Sequence, residues 1–280
     1  MRSAEIGGRH FDWGSRTYVM GIVNVTPDSF SGDGLDDNLD AAVTQGMLMV
    51  REGADFLDVG GESTRPGHEP ITVEEEIRRT EQVVARLARE SGVPVSIDTY
   101  KLEVAEAAVA AGASIVNDVW GLQRSPRIAD LAARHGCALV AMHNQDGTEY
   151  AGDLIAEIKR VMAAATDAAI VAGVPRERVL IDPGIGFGKT ADHNWEVLHR
   201  LHELTELGQP ILIGTSRKSF IGKLLDLPVQ DRVEGTAATV AAAVLRGVDV
   251  VRVHDVRLMT RVVKVADRIS RNIARPDPAA

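Results

Sequence analysis

Eight short runs rich in Val and Ile, separated by longer segments of helical period, restrict what this sequence can fold into more than any other feature. The runs span 18–25, 56–61, 94–99, 114–119, 138–143, 179–184, 210–215 and 250–255. Between them apolar residues recur at helical intervals: Leu39, Val43, Gly46, Met47 and Val50 share one face, and Leu154, Ile158, Val161, Met162, Ala165 and Ala169 share another. Strands alternating with helices are the pattern of βαβ units. An open doubly wound sheet accepts such units too, but eight in succession close most economically as a (β/α)8 TIM barrel, and no G-x-G-x-x-G follows the first run.

The length agrees with one barrel, because a chain of 280 residues exceeds the roughly 250 of a typical TIM barrel by little. The expected organisation is a single domain over 1–280, with the barrel at about 17–270 and a flexible tail at 271–280. Ile6-Gly7-Gly8-Arg9, flanked by polar–apolar alternation, predicts a short N-terminal β-hairpin that covers the bottom of the barrel. Thr72 with Glu75 predicts a capping box at the start of the second helix. The connection between the last two runs predicts two helices, near 217–225 and 233–246.

Charge and composition narrow the partners. A net charge of -9 and a pI near 5.4 speak against nucleic-acid binding, which needs a basic face, so any anionic ligand is expected to meet a local cluster of cations. The first residues carry Arg, Glu, His and Asp rather than an apolar run, and no window approaches about 18 uninterrupted apolar residues, so no membrane association and a cytoplasmic location are expected. The one cysteine, Cys137, borders a buried run and reads as a small core residue.

Active sites of barrel enzymes lie at the carboxyl ends of the strands, and here those ends are polar throughout. They carry Asn24, then Asp58 and Glu62, Asp98, Asn117 and Asp118, His143, Asp182, Ser216-Arg217-Lys218, and finally Arg252 and His254. Taken singly, each is equally well a satisfied strand-end group or a helix cap. Eight polar ends together point to a site. Asp98, Asn117 and Asp182 supply amide and carboxylate contacts suited to a flat heterocycle with adjacent N–H and C=O groups, such as a 2-amino-4-oxo ring. Lys218, Arg252 and His254 come from the last two strands, where barrels commonly hold phosphate, and Ser216 is placed to cap a helix beginning at Arg217.

Three loops add to this. The segment 184–190 ends like a P-loop, but the first glycine of that motif would fall on Pro183; it reads as a glycine-rich βα loop whose Phe187 can stack on a ring. The segment 24–34 reads as a mobile lid, and 60–67 as a loop bearing hydroxyls and a cation, although both are also ordinary long connections. The remaining histidines, His10, His68, His193, His199 and His202, have no ligand-like spacing.

Several of these segments resemble the signatures of the dihydropteroate synthases. Met20 to Ser31 and Gly60 to Gly67 look like the family's two signature loops. Ile97-Asp98-Thr99, Val116-Asn117-Asp118, Met142-His143, Asp182 to Phe187, Ser216-Arg217-Lys218 and Val251 to His254 match its other motifs in order and spacing, over about residues 17–270. The resemblance implies condensation of 6-hydroxymethyl-7,8-dihydropterin diphosphate with 4-aminobenzoate to give 7,8-dihydropteroate and diphosphate, in a homodimer that is a sulfonamide target. It implies a pterin site of Asp98, Asn117, Met142, Asp182, Phe187, Gly214 and Lys218. Asn24, Thr64, Arg252 and His254 would bind the diphosphate, with Asn24 meeting a Mg²⁺ ion. Phe30, Thr64, Arg65, Pro66, Phe187 and Ser219 would form the aminobenzoate pocket. Asn24, Asp98, Lys218, Arg252 and His254 would carry the catalysis.

Two departures stand out. The family's lid runs Ser-Asp-Gly-Gly, whereas Ser31-Gly32-Asp33-Gly34 moves the lid carboxylate, Asp33, one position along. Residues 144–150 lack the second methionine of many members. A pterin-binding methyltransferase would share the Asp and Asn contacts but needs no diphosphate site, and Glu62 to Pro66 with Ser216 to Lys218 argue against it. A catalytically silent pterin-binding paralogue is the other alternative, opposed by intact residues at every site position.

Overall fold

Each of the eight runs forms a parallel strand of one sheet. The structure, a computed structural model, describes residues 2–25, 35–62 and 70–271. Two short strands, β1 (Arg2–Ile6) and β2 (Arg9–Trp13), precede β3 (Tyr18–Asn24), β4 (Phe56–Gly60), β5 (Val95–Asp98), β6 (Ile115–Asp118), β7 (Ala138–Met142), β8 (Val179–Asp182), β9 (Leu212–Ile213) and β10 (Val250–Val253). The sheet order is β8-β7-β6-β5-β4-β3-β10-β9, and a parallel bridge between Ile181 and Ile211 joins its two ends. The result is a (β/α)8 TIM barrel. Its outer layer contains α1 (Leu35–Arg51), α2 (Val73–Glu90), α3 (Leu102–Ala110), α4 (Arg127–His135), α5 (Leu154–Val171), α6 (Ala191–His199), α7 (Ser219–Leu225), α8 (Val233–Leu245) and α9 (Val256–Ser270).

The strand period of two divides each run between two environments. Val19, Val23, Leu57, Val59, Val95, Ile97, Val116, Leu139, Ile181, Ile213, Val251 and Val253 pack in one core with the helices. The alternate positions face the barrel interior. At its amino end Tyr18, Met20, Phe56, Ile115, Ala138, Val140, Leu180, Leu212 and Val250 form a second apolar cluster. Continued by twos, the same registers arrive at Asn24, Asp58, Asp98, Asn117, Met142, Asp182, Gly214, Arg252 and His254.

The hairpin closes the amino end as its sequence predicts. Gly7 and Gly8 make the two-residue turn with φ of 55° and 74°, a conformation that side-chain-bearing residues seldom adopt. Ala4, Ile6, Phe11 and Trp13 then join the interior cluster, and the Phe11 ring lies 4.4 Å from that of Phe56. Trp13 donates its indole N–H to the Glu177 carbonyl, which satisfies its polar atom.

Two local expectations change. Thr72 does cap α2, accepting from the Glu75 backbone N–H, but Glu75 does not reach back to complete the box; its carboxylate is held by Arg78 and Arg79. The penultimate connection does hold two helices, but α7 begins at Ser219, because Arg217 sits in the left-handed region at φ 56°. Arg271, where the tail was expected to start, is anchored to Gly14, Thr17, Val248 and Asp267, and 272–280 lie outside the described residues. No helix among the described residues is long and apolar enough to cross a membrane.

Candidate active site

The polar strand ends meet across the mouth of the barrel. Arg252, from β10, donates Nε to Asp58 Oδ2 at 2.5 Å and Nη2 to Asp98 Oδ2 at 2.7 Å. Asn117 Nδ2 donates to the same Asp58 oxygen at 3.1 Å. Side chains from β4, β5, β6 and β10 thus form one network around a guanidinium. The second oxygens of both carboxylates, Asp58 Oδ1 and Asp98 Oδ1, are buried and have no hydrogen-bond partner among the described residues. Orphaned carboxylate oxygens in a cleft are acceptors prepared for a donor-bearing ligand.

Electrostatics sharpen this picture. Burial pushes the Asp98 carboxyl up to about 7, with Arg252 opposing the rise and Asp58 adding to it. Burial also raises Asp182, against the pull of Lys218 and the Gly184 N–H, which donates to Asp182 Oδ1 at 2.7 Å. The Lys218 ammonium is brought down to about 8 by burial, with Asp182 resisting. Burial by itself would lower Arg252, but Asp58 and Asp98 reverse that and hold it charged. Shifted acids and bases gathered in one cleft mark a functional site.

Lys218 closes the side of β9. Its Nζ donates to the Ile185 carbonyl and lies 4.6 Å from the centre of the Phe187 ring, a cation–π contact. Met142 lies opposite Asp182 in the β7–β8 register, and Gly214 packs against the Arg252 side chain, which a Cβ at this position would meet at 3.8 Å. Asn24 ends β3 with its amide oxygen toward Gly60. His254 is oriented by Ser216, whose Oγ lies 2.9 Å from Nδ1 and accepts from the His254 backbone N–H.

Some expected residues do not converge. Ser216 caps no helix, being engaged with His254, and Arg217 turns to pair with Asp255 at 2.6 Å. Asp118 is consumed locally by the Trp120 and Leu122 N–H groups, and burial raises it to about 6 in spite of them. Ser219 differs from these: it is the first residue of α7, directly after Lys218, and is solvent-exposed and so accessible to a ligand. Phe30, Asp33, Thr64, Arg65 and Pro66 lie outside the described residues.

Residues without an assigned role in the sequence reading also build the site. Asp58 is fully buried, and the signal for it was a carboxylate within an apolar run, two positions after Phe56 in the inward register. Glu62 and Ile71 are tied to one another and to Lys101. Glu62 accepts from the Ile71 N–H at 3.0 Å, while Lys101 Nζ donates to Glu62, Glu76 and the Ile71 carbonyl, each at 2.7 Å. Tyr150 stacks on His143 and donates to the Gly188 carbonyl.

Comparison with known proteins agrees with the geometry. Residues 20–254 match the family described as pterin binding enzyme. The chain is 46% identical over 271 residues to a dihydropteroate synthase of Clostridium beijerinckii, covering 95% of this chain and 99% of that one. It is 47% identical over 252 residues to the Bacillus subtilis dihydropteroate synthase, covering 90% and 88%. Among solved structures it is similar to a Clostridium difficile dihydropteroate synthase studied in the presence of pteroic acid, at 49% identity and TM-score 0.91, covering 93% and 99%. It is also similar to the Xanthomonas albilineans enzyme with 4-aminobenzoic acid, at 43% identity and TM-score 0.90, covering 96% and 98%.

Proposed function

The chain belongs to the pterin-binding enzymes and, within them, to the dihydropteroate synthases, and from that premise we propose how its barrel mouth works. It condenses 6-hydroxymethyl-7,8-dihydropterin diphosphate with 4-aminobenzoate, giving 7,8-dihydropteroate and diphosphate. The observation that carries this reading is the Asp58–Arg252–Asp98 bridge, with two buried carboxylate oxygens that have no partner among the described residues, beside Asn117 and Asp182. A 2-amino-4-oxo pterin edge presents donors and acceptors complementary to that set.

In this reading Asp98, Asn117 and Asp182 hold the ring, Lys218 and Phe187 line its side, and Met142 and Gly214 complete the pocket. The C–O bond between the pterin methylene and the diphosphate breaks, its electron pair leaving with the diphosphate. The amine lone pair of 4-aminobenzoate forms the new C–N bond, and the amine proton is lost. Arg252 and His254 neutralise the departing group, Arg252 exchanging its contact to Asp98 for one to the diphosphate as pterin N–H groups take the carboxylate. No covalent nucleophile is required. Thr64, Arg65 and Pro66, with Phe30, Phe187 and Ser219, are proposed to receive the aminobenzoate, and Asp33 to act from the lid.

The donor set fits a Mg²⁺ ion that arrives with the diphosphate. Asn24 offers one amide oxygen, which suits a hard cation that keeps most of its waters. Among the described residues no group of three or more His, Cys, Asp or Glu gathers to hold a resident metal. Asn24 would hold the ion, and its chemistry when bound is charge neutralisation of the leaving group. A cytoplasmic homodimer is also proposed. Supporting the dimer, Leu258, Val265 and Ile269 of α9 and Leu245 of α8, helices packed on one another, expose apolar surface. Because 4-aminobenzoate is the second substrate, sulfonamides are expected to compete with it.

Mixing the protein with Mg²⁺, the pterin diphosphate and 4-aminobenzoate, and omitting each in turn, tests the function. Diphosphate release that needs the aminobenzoate and yields dihydropteroate is the expected result. Pterin binding without release would instead identify a silent pterin-binding protein.

A further inference from the structure

Lys189 is a buried cation with no part in the mechanism above. It is 8% exposed, and among the described residues no carboxylate forms an ion pair with its ammonium. Nζ instead lies 2.8 Å from His143 Nδ1 and donates to the Phe187 carbonyl at 3.1 Å. Both partners are neutral, so the charge is desolvated without a counter-ion in contact, an arrangement that lowers stability. What Lys189 holds accounts for its place.

Its two bonds fasten the loop after β8 to the end of β7. The loop leaves Asp182, whose carboxylate accepts the Gly184 N–H, and passes so close to β7 that a Cβ on Gly184 would come within 1.9 Å of the His143 carbonyl oxygen. Gly184 also has φ 71°, so the close passage and the turn both require glycine. Farther along, Gly186 N–H donates to Asn194 Oδ1 at 2.7 Å. The Ile185 carbonyl receives Lys218, and Phe187 places its ring against the same ammonium. Two contacts of the pterin pocket therefore depend on the path of this one loop.

We propose that Lys189, bonded to His143 Nδ1 and the Phe187 carbonyl, is a positioning residue that fixes the 184–189 loop and thereby the Phe187 ring and Lys218 in the pterin pocket. The inference rests on the pterin reading of the site. His143 is a suitable anchor: burial and the neighbouring lysine hold its pKa down to about 3, so the ring is neutral, and the tautomer with its proton on Nε2 offers Nδ1 to the lysine as an acceptor. Burial lowers Lys189 to about 7, and the ammonium and the amine alike retain enough N–H groups for both bonds.

Lys189→Met distinguishes positioning from simple packing, because methionine fills similar volume without a charge to desolvate. The expected result is a loss of about ten- to hundredfold in kcat/KM for the pterin diphosphate, mainly through KM, with Tm unchanged or raised. Unchanged kcat/KM overturns the proposal. In a variant that folds, a loss of activity accompanied by a fall in Tm also overturns it, in favour of packing alone. His143→Leu removes the acceptor and is expected to give the same KM effect, which keeps the idea testable if the methionine variant does not fold. Combined, the two substitutions should cost no more than the worse single one, and additive losses contradict a shared bond. Wild-type protein is assayed alongside: if it forms no dihydropteroate, the functional reading fails, whereas an active wild type matched by an equally active variant sinks only the positioning role.

Discussion

The two ends of the barrel share one set of strands and one inward register, yet they solve opposite problems. At the amino end the interior positions are Tyr18, Met20, Phe56, Ile115 and Leu180, and the hairpin seals them with Phe11 and Trp13. At the carboxyl end the same registers carry Asp58, Asp98, Asn117 and Arg252, joined in one hydrogen-bonded network, and Asp182, which is buried and accepts from the Gly184 N–H; two carboxylate oxygens of the network have no partner among the described residues. The first arrangement gains stability from apolar burial and stacked rings. The second spends some of it, holding charges out of water so that a ligand can complete them. Stability and chemistry are thus separated along the strand axis, and substitutions at each end should fail in different ways.

The largest effect is expected at the carboxyl end. Asp98→Ala should weaken pterin binding and kcat/KM by about a thousandfold or more, roughly 4 kcal/mol, with the fold retained. Calorimetry and circular dichroism on the same sample check both halves. At the other end, Phe11→Ala should cost about 3–4 kcal/mol of stability in denaturant titrations, leaving kcat per folded molecule unchanged. If it impaired kcat, the two ends would be coupled rather than separate.

A smaller and signed effect concerns pH. Burial pushes the folded carboxyl of Asp98 up to about 7, above the 3.8 of an unperturbed aspartate. The folded state therefore binds more protons than the unfolded state between about 4 and 7, and this group's contribution to stability is present below that window and lost as pH rises through it. Wild type should lose stability relative to Asp98→Asn over that interval, and kcat/KM should show an acid limb near pH 7 if the ionised carboxylate receives the pterin. Parallel stability curves for the two proteins would contradict the buried-charge description. The smallest change, Thr72→Ala, removes the α2 cap outside the barrel and should cost about 1 kcal/mol with no change in turnover.

Much of this division was legible in the sequence because a strand's period of two is local. Once 18–25 or 250–255 is read as a strand, Asn24 and Arg252 follow as carboxyl-end residues. Pairing across the barrel is not local. Arg252 and Asp58 are 194 residues apart, and only closure of the sheet brings the guanidinium onto a carboxylate that sequence reasoning left without a role. Competition between neighbours was equally hidden. Glu75 was expected to complete a capping box, but Arg78 and Arg79 offer charge-assisted bonds that its backbone target cannot match. Ser216 was expected to cap a helix, but the left-handed turn at Arg217 delays α7, and the hydroxyl orients His254 instead. Lys189 was visible only as the end of a false P-loop, and its burial against His143 depends on how the β7 and β8 loops pack.

Isothermal titration of the pterin diphosphate into wild type, Asp98→Ala and Phe11→Ala tests most directly the claim that the carboxyl end alone forms the pterin site. Binding should be retained by wild type and by folded Phe11→Ala and lost in Asp98→Ala; wild-type affinity in Asp98→Ala would place the pterin somewhere else.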